Sequence, residues 1–294
     1  MCSPLVMEQV RAAVTRRRLL GMAGMAGAAA VLAPMGRTRS AMLQATPGAG
    51  GVASPVASPT APITFCGAST LLDLSHTYGP EFPMYPGAQQ MQISVLVTLD
   101  QGFYKNELIL DEHTGTHMDA PAHFVADGDT ADQLPINMLV APLAVIDISD
   151  RAASDPDAQL TPDDILAWEN QYGPLPEGAF VAMNSGWASK VDDAAEFLGL
   201  DADDNPHFPG FHPDATTLLV EERDIVAIGV DTVSLDYGAA TVFDTHLTLL
   251  EAGKYGIENL ANLDEAPPTG ATVVVGGPKH ETASGGPTRV LAFF

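Results

Sequence analysis

Apolar and polar positions alternate with a period of two, or gather into short β-rich apolar blocks, over residues 92–99, 106–112, 143–148, 180–183, 225–230, 272–275 and 288–294, and these predict strands. Helical periodicity is rarer. Thr161-Pro162-Asp163-Asp164 supplies a cap, a first-turn proline and two acids ahead of 165–172, and 213–222 reads the same way. Two shorter helices are expected over 191–198 and 246–252. Gly and Pro, 27 and 23 of the 294 residues, cut the chain into many short connections, and no internal repeat recurs at a fixed period. Strands in the majority with a few helices predict a single α/β or α+β domain.

The front of the chain follows a different pattern. Residues 15–34 (TRRRLLGMAGMAGAAAVLAP) have a basic start and a weakly hydrophobic run of Ala and Gly, too short and small-sided for a stable membrane span. An export signal over 1–44 is expected, with an uncleaved anchor as the alternative. Thr15-Arg16-Arg17-Arg18-Leu19-Leu20 resembles a twin-arginine signal, which exports folded proteins and suits one that must acquire a metal first. The expected location is therefore the periplasm or the extracellular space. Residues 45–62 (ATPGAGGVASPVASPTAP) read as a linker, and the folded body is expected over 63–294. Cys66 is the only cysteine of that body, so no disulfide framework forms within it, and the thiol is expected to be buried or incidental.

After residue 62 the chain holds seven basic and 36 acidic residues, a formal charge of about −29. Such a surface repels phosphate backbones and anionic headgroups, which argues against a nucleic-acid partner and against stable membrane association once the signal is removed. Solubility is the plain reading of the charge.

The densest chemistry lies in His113-Thr-Gly-Thr-His117-Met-Asp119-Ala-Pro-Ala-His123. His113 and His117 are four apart, as on the helix of a zinc protease, but Thr-Gly-Thr is poor helix material and Pro121 closes the segment. Continued as extended chain from 106–112, residues 113, 115, 117, 119 and 123 share one parity and one side. Three imidazoles and a carboxylate gathered there repel or desolvate one another unless a cation joins them. Imidazole with carboxylate suits zinc, manganese or iron rather than calcium or magnesium, and a purely structural site usually closes with thiolates, of which this chain has none to spare. The four groups hold one metal, or two with Asp119 bridging. A catalytic centre needs further groups, and His246 and Glu258 are the distant candidates; His246 reads equally as a general acid/base or as an ordinary helix-surface histidine.

These residues resemble the signature of the cyclase-type metal hydrolases, which include kynurenine formamidases and isatin hydrolases. Asp73-Leu-Ser-His-Thr-Tyr78, Pro83-Met-Tyr-Pro-Gly87, Gly229-Val-Asp231-Thr-Val-Ser234-Leu-Asp236, and His246 with Ile257-Glu258-Asn-Leu260 are similar to further blocks of that family, in order, from residue 71 to about 292. The resemblance implies a compact α/β fold with a β-rich mixed sheet or barrel-like core, peripheral helices, and a dimer or tetramer. It implies one or two zinc or manganese ions, with His113, His117 and Asp119 as ligands, His123 and Glu258 completing a second position, and His246 as proton shuttle working with Glu258. The implied reaction is hydrolysis of the C–N bond of a small aryl-formamide or lactam by metal-activated water. Lactone or ester hydrolysis, dehydratase or cyclase chemistry on the same centre, or non-catalytic binding are the alternatives. Tyr85, Phe103, Trp187 and Phe208, with Pro83 and Phe211, are candidates for apolar walls around the small-molecule substrate, or for core. Formamidases of the family have Trp and then Gly-Asp in the turn where this chain has Tyr85 and Gly87-Ala88.

Overall fold

The computed structural model describes residues 68–294; the expected signal and linker, the start of the body at residue 63 and Cys66 lie outside the described residues. The strands described are β1 (Leu71–Asp73), β2 (Gln92–Val97), β3 (Lys105–Ile109), β4 (His117–Asp119), β5 (Val140–Asp147), β6 (Gln159–Leu160), β7 (Ala179–Asn184), β8 (Gly210–Phe211), β9 (Ile225–Val230), β10 (Tyr255–Glu258), β11 (Ala271–Gly276), β12 (Gly285–Pro287) and β13 (Arg289–Phe293). The α-helices are α1 (Ser149–Ala152), α2 (Pro162–Tyr172), α3 (Ala194–Leu198), α4 (Pro213–Glu222) and α5 (Asp244–Glu251).

Nine strands form one mixed sheet in the order β1-β13-β11-β5-β7-β9-β10-β4-β12. The middle block β5-β7-β9-β10 is parallel, and antiparallel strands extend it on both sides. The parallel strands are covered on both faces, which is why they read as continuous apolar runs. All six residues of β7 are buried. Its Phe180 and Ala182 enter one core with Leu143, Val145, Tyr255, Val273 and Val290. Val181 and Met183 enter the other, against Ile165 and Trp168 of α2, Leu219 of α4 and Leu249 of α5. Each large side chain so buried contributes roughly 1.5–3 kcal/mol. The Trp168 indole donates to the carbonyl of Val145 at 2.9 Å, so its polar edge is not left unpaired in that core. No helix among the described residues is long and apolar enough to cross a membrane.

Local signals account for the helix starts. Asp164 accepts the Thr161 N–H at 2.7 Å and Pro162 opens α2, as the sequence predicts. Asp193 accepts from the N–H groups of Ala195 and Glu196, so the helix expected over 191–198 begins only at Ala194, after a short 3-10 turn at Trp187–Lys190. The strands expected over 92–99 and 106–112 end at Val97 and Ile109 and pair only with each other, as a hairpin outside the main sheet.

The extended run expected over 113–123 is corrected. Only His117–Asp119 is strand, and Pro121–His123 is a turn of 3-10 helix. Gly115 takes φ +65°, and a Cβ there would sit 2.6 Å from the Tyr78 ring. The chain bends at this glycine instead of running straight.

Candidate metal centre

β4 is three residues long, yet it is clasped by β10 on one side and β12 on the other. Its register sets Glu258 opposite His117 and Gly285 opposite Asp119. Directly opposed residues of an antiparallel pair project on one face, so His117, Asp119 and Glu258 point the same way. The bend at Gly115 swings His113 over the same spot, and α5 delivers His246 from its first turn.

The ring nitrogens and carboxylates converge. His113 Nδ1 lies 2.6 Å from Asp119 Oδ1, and His117 Nε2 lies 3.5 Å from the same oxygen and 3.2 Å from Glu258 Oε2. His246 Nε2 is 3.3 Å from Asp119 Oδ2 and 3.1 Å from Glu258 Oε1. Two sets of three potential ligand atoms result, His113/His117/Asp119 and Asp119/His246/Glu258, with all three atoms of each set within 4.8 Å of one another. Asp119 belongs to both.

The outer nitrogens of two of these rings are already committed. His117 Nδ1 faces the Gly115 carbonyl at 2.9 Å, which also accepts from the Asn259 amide at 2.8 Å. His246 Nδ1 faces Asp236 Oδ2 at 2.5 Å, and Asp236 also accepts the Thr245 N–H at 2.9 Å. A carbonyl and a carboxylate accept, so each ring donates outward and turns an Nε2 lone pair inward onto carboxylate oxygens. Lone pairs facing carboxylates at this distance need a proton or a cation between them. His117 Nε2 and Asp119 Oδ2 are buried without a hydrogen-bond partner, so the residues present fit a divalent cation with nitrogen and oxygen ligands.

Electrostatics agree with that fit. Burial alone would lower the His117 pKa, but the carboxylates of Glu258 and Asp119 beside it raise it to about 9. Burial opposes the charge on Asp119 too, yet the His113 charge and hydrogen bond, with His246 and His117, hold its carboxyl well below the usual range. His246 is driven upward in the same way, against burial, by Asp119, Asp236 and Glu258. Protons here do the work that a metal ion does better. His123 is different: burial first, then the His113 and His246 charges, outweigh Asp119 and bring it down to about 4, a neutral imidazole.

Beside these groups opens a cavity of about 290 Å³ whose lining includes His113, His117, His123, His246 and Glu258. Pro83, Met84, Tyr85, Ala88, Phe124, Val233 and Phe243 supply most of the rest of the lining, with Asp111 and Ser234 as further polar points. Phe124 stacks on His246 with centroids 4.8 Å apart and meets Phe243 edge-on at 5.5 Å.

Of the wall candidates, Tyr85 and Pro83 line this cavity. Trp187 and Phe208 do not; they lie in a buried cluster with Phe197, Leu198 and Val233, against which Tyr85 packs, and Phe211 is buried in the helix-covered core. Phe103 is 57% exposed on the β2–β3 connection and is no part of the cavity. His123 lines it but stands outside both donor sets, stacked on His113 at 3.8 Å. Sequence reading missed Phe124 and Phe243, which no motif marks, and the orienting role of Asp236. The GVDTVSLD block held Asp236 in plain view, and only the ten-residue span to His246 hinted at a partnership.

The family described as putative cyclase matches residues 72–237. The chain is 38% identical over 198 residues to an isatin hydrolase of Roseibium aggregatum, covering 65% of this chain and 74% of that protein. It is 27% identical over 201 residues to a kynurenine formamidase of Salinibacter ruber, covering 67% and 85%. Among solved structures, isatin hydrolase A from Labrenzia aggregata, bound to benzyl benzoate, matches with a TM-score of 0.72 at 36% identity, covering 76% of this chain and 93% of that one.

Proposed function

Because the chain belongs to the cyclase family and is a metal-dependent hydrolase, we propose that it hydrolyses the C–N bond of a small lactam fused to an aromatic ring. Zinc or manganese would be held by His113, His117 and Asp119, with Asp119 Oδ2 and Glu258 extending the donor set toward His246 and His123. When bound, such an ion lowers the pKa of water and polarises a carbonyl. The remaining work falls to side chains. With Nδ1 donating to Asp236, His246 has only Nε2 free to take a proton from the attacking water and give it to the departing ring nitrogen. Glu258 Oε1 receives the Leu235 N–H at 2.9 Å and so is held in place to steady the His246 imidazolium. Phe124, Phe243 and Tyr85 offer flat apolar walls that orient an aromatic ring and exclude water.

The observation that carries this reading is the meeting of both donor sets at Asp119, beside a cavity whose lining is otherwise largely aromatic and apolar. Aryl-formamide cleavage is the second reading, favoured by the formamidase relative. Against it, Ala88 lines the cavity where the formamidase pattern would place an aspartate.

Full-length protein loaded with Zn²⁺ or Mn²⁺ should open isatin, followed by loss of its visible absorbance, with kcat/KM about tenfold or more above that for an N-formyl-arylamine. Preference for the formamide establishes the second reading. Turnover of an aryl lactone or ester alone reassigns the bond cleaved, and no turnover of any amide by metal-replete protein refutes the proposal. The mature body is exported by the twin-arginine signal at 1–44 and assembles as a dimer or tetramer; the Arg16-Arg17 pattern supports the first statement and the apolar β2–β3 hairpin the second.

A further inference from the structure

His113 is the one histidine of the first donor set whose outer nitrogen meets neither backbone nor an acid directly. Its Nε2 lies 3.2 Å from the Ser284 hydroxyl, which comes from the segment just before β12, 171 residues away. Ser284 Oγ lies 2.6 Å from Glu112 Oε2, and the Ser284 N–H reaches that same oxygen at 3.3 Å. The other oxygen, Glu112 Oε1, meets His280 Nε2 at 2.8 Å. Glu112 is thus surrounded by donors, the environment of an ionised carboxylate that only accepts. A serine hydroxyl has a single proton, and here that proton belongs to Glu112. Its oxygen therefore has only lone pairs left for His113, whose Nε2 must carry a hydrogen, leaving Nδ1 to face Asp119 Oδ1 at 2.6 Å.

The backbone is built to bring Ser284 this close. A Cβ on Gly285 would stand 2.7 Å from His113 Cε1 and 2.2 Å from the Met118 carbonyl, so the strand lies directly against the ring, and any other residue would push it away.

We propose that Glu112 and Ser284 are positioning residues of the metal centre: together they fix the His113 tautomer and its ring plane, so that Nδ1 is presented to the ion. This rests on the reading of His113 as a ligand. The relation is that of outer partners that orient ligating histidines, whose loss costs about 10–100-fold in metal affinity.

The discriminating variant is Glu112→Gln. It preserves shape, but it removes the charge and one of the two acceptor oxygens that Ser284 and His280 share, which weakens the hold on the hydroxyl proton and frees it to turn toward His113 Nε2. Zn²⁺ affinity of the metal-free full chain is measured by competition with a chromophoric chelator, alongside Tm. Wild type should bind Zn²⁺, and His117→Ala should lose most of that binding. Ser284→Ala and Glu112→Gln should each weaken it about 10–100-fold, with metal-free Tm nearly unchanged, and Ser284→Thr, which restores the hydroxyl, should recover most of the loss. In the Zn²⁺-loaded protein, ¹⁵N spectra should show His113 protonated at Nε2. Wild-type affinity in both Ser284→Ala and Glu112→Gln, or Nδ1 protonation in the loaded protein, overturns the proposal while leaving the metal centre standing. Failure of wild type itself to bind Zn²⁺ or Mn²⁺ overturns the metal centre, and this proposal with it.

Discussion

Asp236 accepts the backbone N–H groups of Thr245 and His246 and faces the Nδ1 of that same histidine, so one carboxylate anchors the start of α5 and sets the tautomer of the residue it presents. Asp236→Asn retains the shape but can offer N–H to Nδ1, which moves the ring proton to Nε2, the atom required as base. The expected result is a fall in kcat on the order of 10²–10⁴-fold, with bound metal unchanged and a modest drop in Tm from the weakened cap. An unchanged kcat would show that His246 does not shuttle the proton; loss of metal would show that it is a ligand. The candidate donors at this scale stood out in the sequence because three histidines and an aspartate in eleven positions are hard to explain otherwise, although His123 falls outside both donor sets. How they converge was not legible. It depends on φ +65° at Gly115, on the turn that stacks His123 on His113, and on partners such as Ser284 that only the tertiary fold brings near.

Among the elements, the β2–β3 hairpin is the least explained by this chain alone. Ile93, Val95, Leu96, Leu99, Phe103, Tyr104, Leu108 and Ile109 are all exposed on it, and its strands pair only with each other. A lone two-stranded ribbon is marginal in water, and an apolar patch of this kind marks an interaction surface. A stable dimer needs roughly 800 Å² from each partner, which side chains of this size and number supply in large part. Light scattering on the eluted protein should therefore give a dimer or tetramer, and Phe103→Glu with Leu108→Glu should shift it to monomer while the far-ultraviolet spectrum stays unchanged. A monomeric wild type would end the oligomer proposal. Element prediction worked best for the strands buried on both faces, β5, β7 and β9, whose apolar runs carry no competing signal. It missed β10 and β12 and read β4 only within a longer extended run; these strands are three or four residues long and built from ligands and glycines, so function has replaced the pattern that marks a strand.

Across the whole molecule, the centre ties together pieces far apart in the chain: His113 to Asp119, His246 on α5, and Glu258 on β10, all at one end of the nine-stranded sheet. The parallel block β5-β7-β9 has its own support, with cores on both faces that owe nothing to the ion. Removing the metal leaves carboxylates and inward lone pairs crowded at Asp119, relieved only by protons, and the strands held by few apolar contacts should open first. Hydrogen exchange with and without chelator tests this division. Faster exchange is expected over residues 113–123, 244–260 and 284–287, while β5, β7 and β9 keep their protection. With free metal at about 100 times its Kd, the ion adds roughly 2.7 kcal/mol of stability, and that increment should appear as local protection at the β4-β10-β12 end before it appears in global unfolding. Uniform deprotection of all nine strands on chelation would mean that the ion holds the whole fold. No change anywhere would mean that the three converging segments are held by packing alone and that the centre carries no structural share.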